Sequence, residues 1–133
     1  MSEKIFEAEI PHLPQMLKWI RSELKSDQVP ESIQKKMELA AEEALVNIIN
    51  HAYRSKGGKI FLDLNVEPGK VELVVVDQGP AFNPLHHSAP REVVPLHERE
   101  IGGLGILLMK ECMDEIHYQR KGKDNRLKMV IEY

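Results

Sequence analysis

Cysteine is nearly absent from the chain. Cys112 stands alone among 133 residues, so no internal disulfide staples the fold, and a reducing compartment suits it. Long apolar runs are missing too, and the N-terminal MSEKIFEAEI carries no cleavage pattern, which excludes a spanning helix and reads as a cytoplasmic protein. Charge of one sign is not concentrated anywhere. With 18 Lys and Arg against 21 Asp and Glu, the net charge is −3, and no basic block or stripe marks a surface for direct nucleic-acid binding. No internal repeat or low-complexity segment is present. What remains, 42% hydrophobic and 29% charged residues, suits a single domain over residues 1–133 with one core.

Hydrophobic spacing sets out the elements. Lys4 to Ile10 alternates apolar and polar residues as a short strand. Leu13, Met16, Leu17, Ile20 and Leu24 recur at helical spacing between His12 and Ser26, with Trp19 serving packing or a self-association surface. Pro30 opens a longer helix that runs to about Arg54 and ends at Gly57-Gly58. Lys59 to Val66 and Lys70 to Asp77 then form a hairpin around Glu67-Pro68-Gly69. Residues 78–102 lose all period and read as a lid or binding loop. A helix from Gly103 to about Met113 and two strands, Glu115 to Arg120 and Asn125 to Tyr133, close the chain. The order β-α-α-β-β-loop-α-β-β predicts an α+β, two-layer α/β sandwich with a mixed, mostly antiparallel sheet and all helices on one face.

Three stretches carry possible chemistry. In AEEALVNIINHAY (41–53) a helix spends positions on Asn, a mediocre helix former. At 100° per residue, Met37, Ala41, Ala44, Ile48 and Ala52 fall within about 80° as a core stripe, while Glu43, Asn47 and His51 form a second row at steps of about 40°. An amide oxygen is a hard ligand suited to Mg²⁺, and a carboxylate one turn away can take a proton. A solvated helix face is the simpler account of this helix by itself. In VELVVVDQGPAFNP, a buried strand ends at Asp77, an acceptor for an exocyclic amine, and Gly79 leaves room for a flat ring; an ordinary strand exit also fits. In IGGLGILLMK, glycines open a helix whose free N–H groups suit phosphate, or else serve only a turn. His86, His87, His97 and Cys112 match no zinc spacing.

Taken in order, E-x-x-x-N on a helix, D-x-G at a strand end, a long loop and G-x-G opening a helix resemble the ATPase (Bergerat) domains of histidine kinases, gyrase-type ATPases and Hsp90-type chaperones. Within that superfamily, Glu43, Ala44, Asn47, His51 and Tyr53 match the E-A-x-x-N-x-x-x-H-x-Y pattern of the anti-sigma-factor serine/threonine kinases (RsbW-type), and the likeness runs from Phe6 to Ile131. The resemblance implies ATP and Mg²⁺ as ligands, with Asn47 holding Mg²⁺ and Glu43 acting as general base toward a serine hydroxyl. It implies Asp77 and Gly79 at the adenine, and Gly103, Leu104 and Gly105 near the phosphates. The lid Arg of the family is represented only by Arg99, because Ile101 stands at its usual place. Gly122-Lys123-Asp124-Asn125 stands where the family often has Gly-Thr, so the Thr contact at the adenine is absent or replaced. The implied partners are a sigma factor, an anti-anti-sigma STAS-domain protein phosphorylated in a partner switch, and a second copy in a homodimer, with Phe6 and Trp19 as interface. Two alternatives stay open: a nucleotide-binding regulatory module without phosphotransfer, and a detached histidine-kinase catalytic domain.

Overall fold

Alternation and helical spacing translate into two layers in the computed structural model. It describes residues 2–53, 57–86 and 101–133, with the backbone alone at 86 and 101–104. The elements are β1 (Ser2–Glu7), α1 (Leu13–Ser26), α2 (Glu31–Asn47), β2 (Lys59–Glu67), β3 (Lys70–Asp77), α3 (Ile101–Cys112), β4 (Glu115–Lys121) and β5 (Asp124–Glu132). The order is the expected one. Among the described residues the sheet runs β1-β2-β3-β5-β4 and every pairing is antiparallel, so no strand pair is parallel. The first strand is shorter than its sequence pattern, since the chain leaves the sheet after Glu7 and turns at Ile10–His12.

One face of the sheet is buried by the helices. Ile60, Leu62 and Leu64 of β2, Val71, Leu73 and Val75 of β3, and Leu127, Met129 and Ile131 of β5 point to it. They meet Met16, Ile20 and Leu24 of α1, Met37, Ala41 and Ala44 of α2, and Ile106 and Met109 of α3. The core stripe read from 41–53 is therefore real: Met37, Ala41, Ala44, Ile48 and Ala52 are all buried. Phe6 and Trp19 pack edge-on at 6.5 Å within the chain, so both rings already have a partner.

Helix α2 does not run on as a regular α-helix. From Ile48 to Ala52 it widens into a π-helical turn, with the Tyr53 N–H donating to the Ile48 carbonyl at 2.9 Å. Such widened turns concentrate at functional sites. Tyr53 then ties three elements together. Its hydroxyl donates to the Lys59 carbonyl at 2.6 Å and accepts from the Gln78 N–H at 2.7 Å, joining the helix end to the start of β2 and the exit of β3.

The Tyr53 ring lies where a Gly58 side chain would go: a Cβ there would sit 2.3 Å from Cε1, on backbone with φ of 153°. Gly57 also has positive φ, 85°, but faces open space. Gly57→Ala is expected to cost about 1 kcal/mol from backbone preference alone, and Gly58→Ala about 2 kcal/mol or more because the ring must also move. Urea denaturation of the two variants checks the order. Equal losses would mean that the ring yields freely.

Candidate functional site

The inward alternation of β3 and β5 ends in two polar residues. Val71, Leu73 and Val75 are followed by Asp77, and in β5 Asn125 precedes Leu127, Met129 and Ile131. Asp77 and Asn125 are direct cross-strand partners, 2% and 3% exposed. A buried carboxylate needs donors, and here they arrive from two directions. Asp77 Oδ1 accepts from the Gly79 N–H at 2.9 Å and from Asn125 Nδ2 at 2.8 Å. Among the described residues nothing donates to Oδ2. Arg120 reinforces the turn by donating from Nη1 to the Gly79 carbonyl at 2.8 Å. Burial pushes the Asp77 carboxyl up from its ordinary 3.8, more than the Asn125 and Gly79 donors and the Arg120 charge pull it down.

Asn47 faces the same place from the helix layer. It is 3% exposed, so the polar row read from 41–53 is not a solvated face at this position. Its Nδ2 donates to the Glu43 carbonyl at 2.9 Å, one turn back, which turns Oδ1 away from the helix with no donor among the described residues. His51, exposed, stacks on Phe82 with ring centroids 5.7 Å apart and planes within 10°. Asn47, Ile48, Asp77, Phe82, Pro84, Tyr118, Asn125 and Leu127 line a cavity of only about 10 Å³.

Glu43 sits beside α3. Its carboxyl is half-buried and is pushed up from the ordinary 4.5 by burial first and by neighbouring Glu42 second. Gly105 lets the helices meet: a Cβ on it would fall 1.9 Å from Glu43 Oε2. Gly103 and Leu104 lie in the first turn of α3, which begins at Ile101, two residues earlier than its pattern showed. The four leading N–H groups of a helix have no partner within it, so 101–104 offer donors. Gly105 falls after them and serves close packing.

Gly79 also has a close neighbour within the protein. A Cβ there would lie 2.9 Å from the Ala52 carbonyl oxygen and 3.2 Å from Asp77 Oδ1, so glycine lets the β3 exit lie against the end of α2. Arg99 and most of the 78–102 lid, with His87 and His97, lie outside the described residues. Among the described residues no cluster of three His, Cys, Asp or Glu side chains is arranged for a metal. A Mg²⁺ site would thus rest on the Asn47 oxygen together with oxygens brought by phosphates, the usual mode for that ion. Asn125 was missed as a site residue. Its signal was in the sequence, since N-x-L-x-M-x-I puts the amide on the apolar face.

A buried carboxylate at a strand end, the amide paired with it and a second buried amide on the facing helix thus line one small cavity between the layers. The chain matches the family described as the histidine kinase-like ATPase domain over residues 6–131, and it belongs to that family. It is 33% identical over 93 residues to the serine/threonine-protein kinase BtrW of Bordetella bronchiseptica, covering 69% of this chain and 66% of that protein. It is 33% identical over 91 residues to the serine-protein kinase RsbW of Bacillus licheniformis, covering 62% and 55%. With the anti-sigma F factor of Clostridium acetobutylicum it shares 30% over 105 residues, covering 73% and 68%. The matched segment thus spans little more than half to two thirds of these relatives. In structure, it resembles the RsbU and RsbW domains from Mycobacterium tuberculosis, with a TM-score of 0.68, 14% identity, and coverage of 99% of this chain and 32% of that one. That likeness concerns the fold.

The raised Asp77 carboxyl has a consequence for stability. Its contribution is fully present below 3.8 and is lost as pH rises through the higher folded value, because the native state holds the proton longer than the unfolded chain. Wild type should therefore lose stability relative to Asp77→Asn over that window. Denaturant titrations of both proteins across the acid range measure it. A wild type that gains on the variant as pH rises would contradict the assignment.

Proposed function

We propose that the protein is an ATP-dependent serine/threonine kinase and anti-sigma factor, which binds a sigma factor and phosphorylates a STAS-domain antagonist in a partner switch. The observation that carries the reading is the pair of acceptors at one cavity. The donors that hold Asp77 all go to Oδ1, leaving Oδ2 for a ligand, and Asn47, whose Nδ2 is spent on the Glu43 carbonyl, lines the same cavity. Asp77 takes the exocyclic amine of adenine. Asn47 holds Mg²⁺, which supplies charge neutralisation on the phosphates when bound. The leading N–H groups of α3, including those of Gly103 and Leu104, face phosphate oxygens. Arg99 is proposed to reach the terminal phosphate.

Glu43 is the general base. A carboxyl raised by burial binds a proton more readily, which suits it to take the proton of a serine hydroxyl as that oxygen bonds to the γ-phosphorus and the bridging oxygen leaves. The names of the relatives support the partners: one is called an anti-sigma factor and others serine-protein kinases. We place the protein in the cytoplasm as a homodimer; β1, whose Ile5 is 57% exposed at the sheet edge, offers apolar surface for a second copy.

Calorimetric titration with ATP, with and without Mg²⁺, tests the site. Binding should require Mg²⁺ and be lost in Asn47→Ala. Wild type that ignores ATP would end the reading.

Glu43→Ala should bind ATP as wild type does, yet transfer phosphate to a STAS-domain protein about 10²- to 10⁴-fold more slowly. Gly105→Ala should act in the same direction, because its methyl group displaces the Glu43 carboxylate while the helices, meeting only the end of a flexible side chain, stay in place. Radiolabel transfer assays compare the three. Unimpaired transfer by Glu43→Ala would remove it from the mechanism.

A further inference from the structure

The Asp77 carboxylate has two oxygens that are chemically equal, and rotation about its last bond exchanges them. Something must decide which one is left for a ligand. Gly79 supplies one N–H to Oδ1, and Asn125 supplies the second donor to the same atom. Oδ1 is thereby occupied twice, and Oδ2 is the acceptor that remains.

The Asn125 amide is itself fixed. Its Nδ2 donates to the Pro80 carbonyl at 2.9 Å and the Gly79 carbonyl at 3.3 Å, besides Asp77. Its Oδ1 accepts from the Phe82 N–H at 3.2 Å and from the Tyr118 hydroxyl. The backbone carbonyls can only accept and the Phe82 N–H can only donate, so one orientation of the amide satisfies the set and the flipped one opposes oxygen to oxygen. A threonine hydroxyl has one proton and could serve only one of these three acceptors.

We infer that Asn125 is a positioning residue for base selection, which anchors Oδ1 of Asp77 so that Oδ2 faces a purine bearing an exocyclic amine. The inference rests on the nucleotide reading and adds the residue that enforces it. A base that presents no donor leaves Oδ2 buried without a partner, and one that presents a carbonyl sets oxygen against oxygen. Asn125 does not touch the base; it acts through Asp77.

The test compares ATP with purine riboside triphosphate, which lacks only the amine, on wild type, Asn125→Thr and Asn125→Val. These two substitutions are nearly isosteric and differ in the hydroxyl. Wild type should prefer ATP by at least about tenfold, the worth of one hydrogen bond to a charged acceptor. Asn125→Thr should show a smaller preference, and Asn125→Val should bind the two nucleotides about equally. Affinity for the analogue should change little throughout, which a purely structural role would not produce. Should Asn125→Val not fold, Asn125→Thr decides, because its preference must fall below that of wild type. A wild-type preference retained in Asn125→Thr, or equal weakening of both nucleotides in the variants, overturns the inference while leaving the nucleotide site standing. Wild type that binds neither nucleotide overturns both.

Discussion

A carboxylate enclosed at the end of a strand is the constraint around which this molecule is arranged. Asp77 is buried on the helix-covered face, where an unpaired charge is too costly to persist. Its donors fix several things together. Asn125 must lie opposite, which pins the register of β3 against β5, and Gly79 must turn its N–H back, which commits the chain to leave the sheet there. A slip of one residue in that pairing would turn both polar groups to the other face and expose the apolar side chains between them. Chemistry and fold specify each other at this point.

The helix layer meets the same point from the opposite side. Tyr53 couples the end of α2 to β2 and to Gln78, and the Ala52 carbonyl lies against Gly79. Asn47 therefore cannot drift with respect to Asp77 without disturbing backbone hydrogen bonds. This explains why a tyrosine follows the polar row of the helix: it measures the distance between the layers. The Asn47 amide spends its N–H on the Glu43 carbonyl and keeps its oxygen. A residue poor in helix propensity thus sits here with its N–H already satisfied by the helix itself.

Much of this was legible in the chain. Apolar spacing gave the order of elements, the core stripe of α2 and the burial of the strand ending in Asp77. What local pattern could not supply were relations between distant residues. Asn125 opens the closing strand on its apolar face, but nothing near it says that Asp77 lies opposite; pairing across 48 residues decides that. That Gly79 lies against the Ala52 backbone, 27 residues earlier in the chain, has no local signature either. The widened turn at Ile48–Ala52 has no periodic signature, since one extra residue per turn barely alters a hydrophobic stripe. The start of α3 at Ile101 was hidden by Gly102 and Gly103, whose weak helix preference the packing of Ile106 and Met109 outweighs.

The stack of His51 on Phe82 bears on how tightly any nucleotide can bind. With about 10 Å³ left beside Asp77, a nucleotide bound as proposed needs a wider arrangement of the cavity, which Phe82 lines while stacking on His51. Observed affinity is then intrinsic affinity scaled by the fraction of molecules in that open arrangement. Phe82 also packs against the core, and a protein that docked against His51 would bear on that balance. Occupancy of the site would follow from whatever partner holds the ring open, at unchanged nucleotide concentration.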